Sequence, residues 1–371
     1  MHITCDKNEL SDALSICIHA VASKSPIPAL EGILFSVNND TITLCGYNNQ
    51  MSIRKTVPCQ MEEYGSCVLN ARMFFDIIRK VQGDTVEITV DKDLNAVIRC
   101  GRSTFNIKAE DADEYPELPE VMKRRGITLQ SGLLRSMIGD TIFAISQNEN
   151  KPVHTGSLFE IEGQTFSLIS VDGYRLAVRK EQIEAFGDDS FKFVVPGSTL
   201  KELARILPDG EENVTIYPEN KHGLFEFAGT VVTTRLLEGE FLNYRSAVPE
   251  DMPIRLTLNK SELVNAVERV SLIISERLKN PVRCLFEGET LKLSCITSLG
   301  KSFDSISIPM CSDKIEIGFN NRYLLDALKA CPDEEVVMEL KSGLSPCLFK
   351  PLEGDSFLFL VLPVRLKAED L

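Results

Sequence analysis

Four histidines (His2, His19, His154 and His222) and eleven cysteines are the residues of this 371-residue chain best suited to metal binding, nucleophilic attack or redox exchange. Zinc sites and dithiol centres bring paired ligands within a few residues of each other. Here no CxxC or HExxH occurs, and the histidines stand far apart. The phosphate-cradling P-loop and the GxSxG nucleophile elbow are missing as well. The acidic run Glu110-Asp111-Ala112-Asp113-Glu114 leads into Tyr115 and Pro116, which reads as a solvated loop between domains and not as a cation cluster. Cysteines such as Cys295 in LKLSCI fall on apolar strand positions, so the thiols are expected to be reduced and packed as small hydrophobes. A long chain without a convergent acid–base set predicts a binding protein, not an enzyme, with no metal and no cofactor.

What remains are cations at recurring positions. Residues 320–329, NNRYLLDALK, repeat 70–79, NARMFFDIIR, and a weaker copy lies at 196–205, PGSTLKELAR. In register, Asn70 meets Asn320, Arg72 meets Arg322, Asp76 meets Asp326, and Arg79 meets Arg205 and Lys329. A second seed, ITCDKNELSDAL from Ile3, returns as ITLQSGLLRSMI from Ile127 and as LTLNKSELVNAV from Leu256, shifts of 124 and 253. Two independent seeds therefore give one fold written three times, in repeats of roughly 120–130 residues, the size of an ordinary domain. The expected divisions are 1–122, 123–250 and 251–371.

To place those cations, each repeat needs two amphipathic helices among short strands. The first helix has a cap such as Asp6 or Asn259, followed three residues later by Glu9 or Glu262 in capping-box order. The second helix begins after Asn70, Gly197 or Asn320. Period-two segments read as strands: TITLCGY (41–47), TVEITV (85–90), TFSLISV (165–171), NVTIYP (213–218) and TLKLSCI (290–296). Turn residues precede them at Asn38-Asn39, Glu162-Gly163 and Glu287-Gly288. The chain carries −14, yet the six helical segments together carry +3, which leaves −17 for everything else. That bias suits helices facing DNA, and it equally suits the wet faces of ordinary amphipathic helices. Sheets with open edges at both ends of a three-domain array invite pairing with another chain, so a closed oligomer is expected. No apolar run approaches the roughly 18 residues that span a bilayer, and MHITCDKNEL lacks the layout of a secretory signal, which places the protein in the cytoplasm.

Four motifs occur in order: VDGYRLAV (171–178), FLNYRSAVP (241–249), IGFNNRYLLDAL (317–328) and VLPVRL (361–366). With them the chain resembles the β sliding clamps of bacterial DNA polymerase III, in register from Met1 to Leu366. The resemblance implies an α+β fold of three repeated clamp domains, each two helices backed by antiparallel sheets, forming a ring as a head-to-tail homodimer. Helices would line the hole, and the clamp would tether the polymerase without chemistry of its own. Implied partners are double-stranded DNA, a second copy of the chain, the DNA polymerase III α subunit, the clamp loader, and other polymerases and repair proteins, with no membrane. Arg72, Arg79, Lys80, Arg135, Lys201, Arg205, Arg269, Arg322 and Lys329 would face phosphates, and Lys24, Asn148 and Lys151 match DNA-touching positions. Pro152 and Val153 stand where relatives carry aromatic residues.

The resemblance also implies a pocket for short linear peptides between domains two and three. Its residues would be Val171, Gly173, Tyr174, Arg175, Leu176, Leu242, Asn320, Tyr323, Leu344, Leu360, Val361, Leu362, Pro363, Val364 and Arg365. Gly173 would permit a tight turn, Leu176 and Val361 would supply apolar wall, and Pro363 would fix the strand end. His154, Ser246 and Ala247 occupy pocket positions but depart from the family's usual residues. At the ring joint, Phe105 and Ile107 would meet Leu272 and Ile273 of the partner. Only one acid and one lysine stand in TSLGKSFD (297–304), so Arg102 is expected to lack a full ion-pair set and the joint to rest on apolar contacts. The alternative is a three-domain interaction scaffold that never encircles DNA.

Overall fold

In the computed structural model, which describes residues 1–184, 190–275 and 280–366, each repeat contributes two helices. They are α1 (Lys7–Cys17), α2 (Ala71–Lys80), α3 (Ser131–Thr141), α4 (Gly197–Ile206), α5 (Lys260–Ser271) and α6 (Asn321–Ala330). The caps act as their residue types dictate. Asp6 accepts hydrogen bonds from the Asn8 and Glu9 amides at 2.8 and 3.0 Å, and Asn70, Asn259 and Asn320 cap α2, α5 and α6 in the same way. Gly197 is itself the first residue of α4, and a Cβ there would lie 2.9 Å from the Thr155 carbonyl oxygen, so glycine permits that approach. Helices α1 and α3 stop after Cys17 and Thr141 and tighten into 3₁₀ turns, Ile18–Ala20 and Ile142–Ala144.

The described chain forms two compact units, residues 1–134 with 205–236, and residues 135–204 with 237–371. The first holds a five-stranded sheet in the order Gln60–Glu63, His2–Asp6, Thr85–Val90, Asn95–Cys100, Ser103–Lys108. It also holds an eight-stranded sheet in which strands of repeat two join strands of repeat one where Thr230–Arg235 pairs antiparallel with Met51–Pro58. The second unit repeats this joint. Its eight-stranded sheet runs Phe191–Pro196, Gly156–Glu162, Thr165–Val171, Arg175–Gln182, then Phe357–Val361, Cys347–Lys350, Glu335–Leu340 and Ile254–Asn259. Repeats two and three meet where Arg175–Gln182 pairs with Phe357–Val361. The compact units therefore cut across repeat two, because backbone pairing binds each repeat to the next.

The last sheet pairs Val282–Thr297 with Gly300–Phe319, and its register shifts on either side of Gly288, whose φ of 60° is the left-handed conformation that glycine adopts without penalty. The turn after Asn38 is made by Asn39 and Asp40 at φ 50° and 54°, one residue later than expected. The acidic connector keeps Glu110, Asp111, Asp113 and Glu114 exposed, as a solvated loop should, and is tied down at both ends. Glu110 and Val68 exchange backbone hydrogen bonds at 2.9 and 3.0 Å, and the buried Tyr115 hydroxyl donates to the Cys45 carbonyl at 3.2 Å. All eleven cysteines are free thiols and ten are buried. Burial pushes the Cys5 and Cys284 thiols up to about 12, so these two are not thiolates at neutral pH. Among the described residues no group of three His, Cys, Asp or Glu is placed to hold a metal, and no helix is long and apolar enough to cross a membrane.

Candidate functional site

In the second unit, alternation along the strands sorts the motif residues onto two faces of one sheet. Val171 and Leu176 are cross-strand partners, and Leu360 lies opposite Leu176 on the next strand. These three, with Ile169, Val178 and Leu348, form an apolar cluster on the outer face, against which Leu362 packs. Val361 is the exception. It is fully buried in the other core layer, with Phe359 and Leu324, because adjacent residues of a strand point to opposite faces, so it supplies no pocket wall.

The turn at 172–174 is set by Asp172, whose carboxylate accepts the Tyr174 and Arg175 amides at 2.8 and 3.0 Å, with Gly173 at φ 91°. That geometry leaves Tyr174 exposed and stacks it on Tyr323 of α6, ring centres 5.8 Å apart. Arg175 lies beneath the pair. Its guanidinium sits 4.5 Å from the centre of the Tyr323 ring and 5.3 Å from that of Phe143. It is held by Asp172 at 3.0 Å and by Asp326 of α6 at 2.6 Å. With only 10% of its side chain exposed, Arg175 frames the aromatic pair and locks the turn to the helix. Asn320 is the cap that starts α6, accepting the Arg322 and Tyr323 amides at 3.0 and 3.2 Å.

Beyond Val361 the chain keeps pairing. Leu362 donates its amide to Tyr174 O at 2.9 Å, and the Val364 amide donates to Gly318 O at 2.8 Å, with Pro363, which has no amide hydrogen, between them. A Cβ at Gly318 would lie 2.7 Å from the Val364 oxygen, so glycine permits this approach. Leu344 is 70% exposed on a turn whose Gly343 backbone lies against the Glu316 carbonyl oxygen, two residues before Gly318. Arg365 is exposed.

A strap, residues 237–253, crosses the outer sheet face and packs Phe241, Tyr244, Val248 and Met252 into the apolar cluster. It presents Leu242, 43% exposed, together with exposed Ser246 and Ala247. His154 makes an edge-on contact with Phe241 at 5.3 Å. Burial, and then the nearby Lys151, hold its pKa below the usual histidine value. The strap is pinned by Glu160, 1% exposed, which accepts from the Tyr244 hydroxyl at 2.7 Å, the Arg245 guanidinium at 2.6 Å and the Lys192 ammonium at 2.6 Å. Burial pushes the Glu160 carboxyl up, but the three donors outweigh it and hold it below its ordinary range. Sequence reasoning missed Glu160, Phe241, Asp172, Phe143 and Asp326. The signal for Asp326 was present, as the repeat partner of Asp76.

The cation candidates lie on helices and loops of both units. Lys24, Arg72, Arg79 and Lys80 are exposed in the first unit, as is Arg205 near the end of α4. In the second, Lys201, Asn148, Lys151 and Arg322 are exposed, and Arg135 is half-buried. Two are partly neutralised: Lys329 pairs with Glu268 of α5 at 2.6 Å, and Arg269 pairs with Asp304 at 2.6 Å. Arg79 lies 3.8 Å from Asp76, one helical turn away, which is long for an ion pair. Of the joint candidates, Phe105 and Leu272 are 37% and 84% exposed, Ile107 and Ile273 are half-buried, and Arg102 is exposed. Phe105 and Ile107 lie on an edge strand, Ser103–Lys108.

Models of the N-terminal, central and C-terminal domains of the DNA polymerase III beta subunit match residues 1–119, 128–243 and 245–365. The chain is 31% identical to the beta sliding clamp of Bacillus subtilis, over 98% of this chain and all of that one, and 32% identical to that of Staphylococcus epidermidis, over 96% of each. The solved sliding clamp from Bacillus subtilis superposes with a TM-score of 0.96 over 99% of this chain and all of that one, at 31% identity. The DNA polymerase beta subunit of Streptococcus pyogenes superposes at 0.94 over the same shares, at 27% identity. With models of all three domains matched in order and relatives above 30% identity over nearly the whole length, the chain belongs to the DNA polymerase III beta subunit family, the beta sliding clamps.

Proposed function

We propose that two copies of this chain close head to tail into a ring around duplex DNA, as the working form of a non-catalytic sliding clamp in the cytoplasm. On this reading domains 1–122, 123–250 and 251–371 supply helices toward the DNA, and short peptides of the DNA polymerase III α subunit, the clamp loader, other polymerases and repair proteins dock beside Leu176 and the Tyr174–Tyr323 pair.

The observation that carries the reading is a joint used twice and left open once. In repeats one and two, Met51–Pro58 and Arg175–Gln182 each take the last strand of the following repeat, Thr230–Arg235 or Phe357–Val361. The corresponding strand of repeat three lies in Gly300–Phe319, which among the described strands pairs with Val282–Thr297 alone. The last strand of repeat one, Ser103–Lys108, pairs among the described strands with Asn95–Cys100 alone. These two edges are the halves of a third joint that requires a second copy, and pairing them head to tail completes it. Phe105, Ile107, Leu272 and Ile273 supply its apolar part. Because Arg269 of the same chain occupies Asp304, Arg102 has no acid left in 297–304, and the joint is apolar in character.

Weakly basic helices suit sliding, since diffuse attraction to phosphates holds DNA without reading bases. The test loads the protein onto nicked circular DNA and then linearises it. A ring stays on the circle and runs off the linear form, whereas equal retention on both would refute encirclement and favour an ordinary DNA binder. No retention on either, from a dimer given its loader, would favour the interaction scaffold.

A further inference from the structure

The apolar outer face of the second unit's sheet continues past the docking residues into a charged cleft. Along Arg175–Gln182 the outward residues run Leu176, Val178, Lys180, and their partners across the sheet run Val171, Ile169, Ser167. Val178, Tyr244, Val248 and Leu358 share the apolar cluster of Leu176 and Leu360, and the same four line a cleft of about 1000 Å³. Leu176, Val178 and Leu360 are buried beneath the strap, so Tyr244 and Val248 both roof that cluster and wall the cleft. The cleft is lined by five carboxylates against three cations, and the cations are taken. Lys180 pairs with Asp355 at 2.5 Å, Lys350 with Glu339 at 2.6 Å, and Arg245 with Glu160 and Glu162 at 2.6 and 2.9 Å. Glu250 and Glu353 are exposed and have no ion pair among the described residues.

We propose that this cleft receives the residues flanking a docked peptide and favours lysine or arginine there. The inference rests on the peptide-docking reading and adds a second determinant to it: the apolar part supplies the anchor, and the unpaired carboxylates supply a charge preference. The occupant follows from continuity and charge. A chain leaving the exposed strap residues Ser246 and Ala247 meets their neighbours Arg245, Val248 and Glu250 on the cleft wall, where the surplus is negative. Exposed ion pairs contribute up to about 1 kcal/mol each, so one basic residue should strengthen binding roughly two- to fivefold.

The test uses the intact dimer and a displayed library with two leucines two positions apart, so that both face the sheet, and five randomised residues on each side. Only clones whose capture is lost when both leucines become serine are scored. Expected is an excess of Lys and Arg over Asp and Glu of about threefold or more on one flank, fading in 0.5 M salt. The double variant E250K/E353K should reverse it. Equal acid and base on both flanks, with leucine-dependent capture intact, would overturn the cleft and leave the pocket standing. Absence of any leucine-dependent clone would overturn the pocket and the cleft together.

Discussion

Replacing Glu160 by alanine should loosen the strap that builds one wall of the proposed docking site. The carboxylate is 1% exposed and accepts hydrogen bonds from three residues, Tyr244, Arg245 and Lys192. Its loss leaves the Tyr244 hydroxyl without a partner beside an apolar cluster, in a residue only 6% exposed, at a cost of about 1–3 kcal/mol. The two cations lose less, because each is about half exposed and Glu162 remains near, 2.9 Å from Arg245 and 3.7 Å from Lys192. The total is about 2–3 kcal/mol, which for a unit of roughly 200 residues lowers Tm by about 4–12 °C. Calorimetry and urea titration read that change, and affinity for a pocket-selected peptide should fall about fivefold as Leu242, Ser246 and Ala247 shift. The double variant E160A/Y244F removes the stranded hydroxyl, so it should recover about 1 kcal/mol relative to the sum of the single variants. Additive effects, or a single-variant loss below about 0.5 kcal/mol, would refute the account. The acid limb offers an independent check. Because the folded carboxyl titrates below its ordinary value, its contribution is complete above that value and lost as pH falls through the lower, folded one. Glu160→Gln should flatten that acid limb.

Further outcomes follow from other residues. Arg175→Ala breaks a nearly buried pairing with Asp172 and Asp326 and should cost about 3 kcal/mol and at least tenfold in peptide affinity, with Arg175→Lys recovering only part because it cannot bridge both acids. Leu272→Asp should turn the dimer into folded monomers in sedimentation, while raising salt from 0.1 to 0.5 M should change the wild-type dimer constant less than about threefold. Arg72, Arg79 and Lys80 together changed to alanine should shorten retention on circular DNA equally for all sequences and make it less salt-dependent, the log–log slope easing by about 0.9 for each phosphate no longer neutralised. Peptide affinity should hold from pH 8 to 7 and fall only below the usual histidine pKa, because burial keeps the His154 ring neutral. His154→Phe should abolish that fall, and a fall that persists in the variant would exonerate the histidine.

The sequence carried the elements it could specify locally. Asp6, Asn70, Asn259 and Asn320 announce helix starts because a capping side chain binds amides two or three residues on, and the structure shows those bonds. Strands 41–47, 85–90, 165–171 and 213–218 were legible from alternation, and in the structure they begin and end at the residues read from sequence. What stayed hidden depends on long-range placement. Alternation fixes that Leu360 and Val361 face opposite ways, but only the pairing of Leu360 with Leu176 decides which face is the outer one. Glu160 reads as one acid on an alternating strand, and nothing local shows that residues 84 and 85 positions later will bury it.

The two copies of one aspartate show how such a site arises from a repeat. Asp76 and Asp326 occupy the same place in NARMFFDIIR and NNRYLLDALK. In repeat one the side chain is 64% exposed and reaches only Arg79 of its own helix, at 3.8 Å, a pairing that adds little. In repeat three it lies 2.6 Å from Arg175, which comes from repeat two and stands 10% exposed beneath Tyr323. The difference lies in the neighbour and not in the helix. Where Arg175–Gln182 pairs with Phe357–Val361, strand register delivers Arg175 to α6 opposite Val361, and the same register carries Leu176 to the outer face opposite Leu360. One joint thus makes both the rigid aromatic frame and the apolar floor. A shift of that register by one residue would send Arg175 outward and Leu176 inward and remove both at once. The pairing in the joint is therefore the feature on which the proposed docking site depends most.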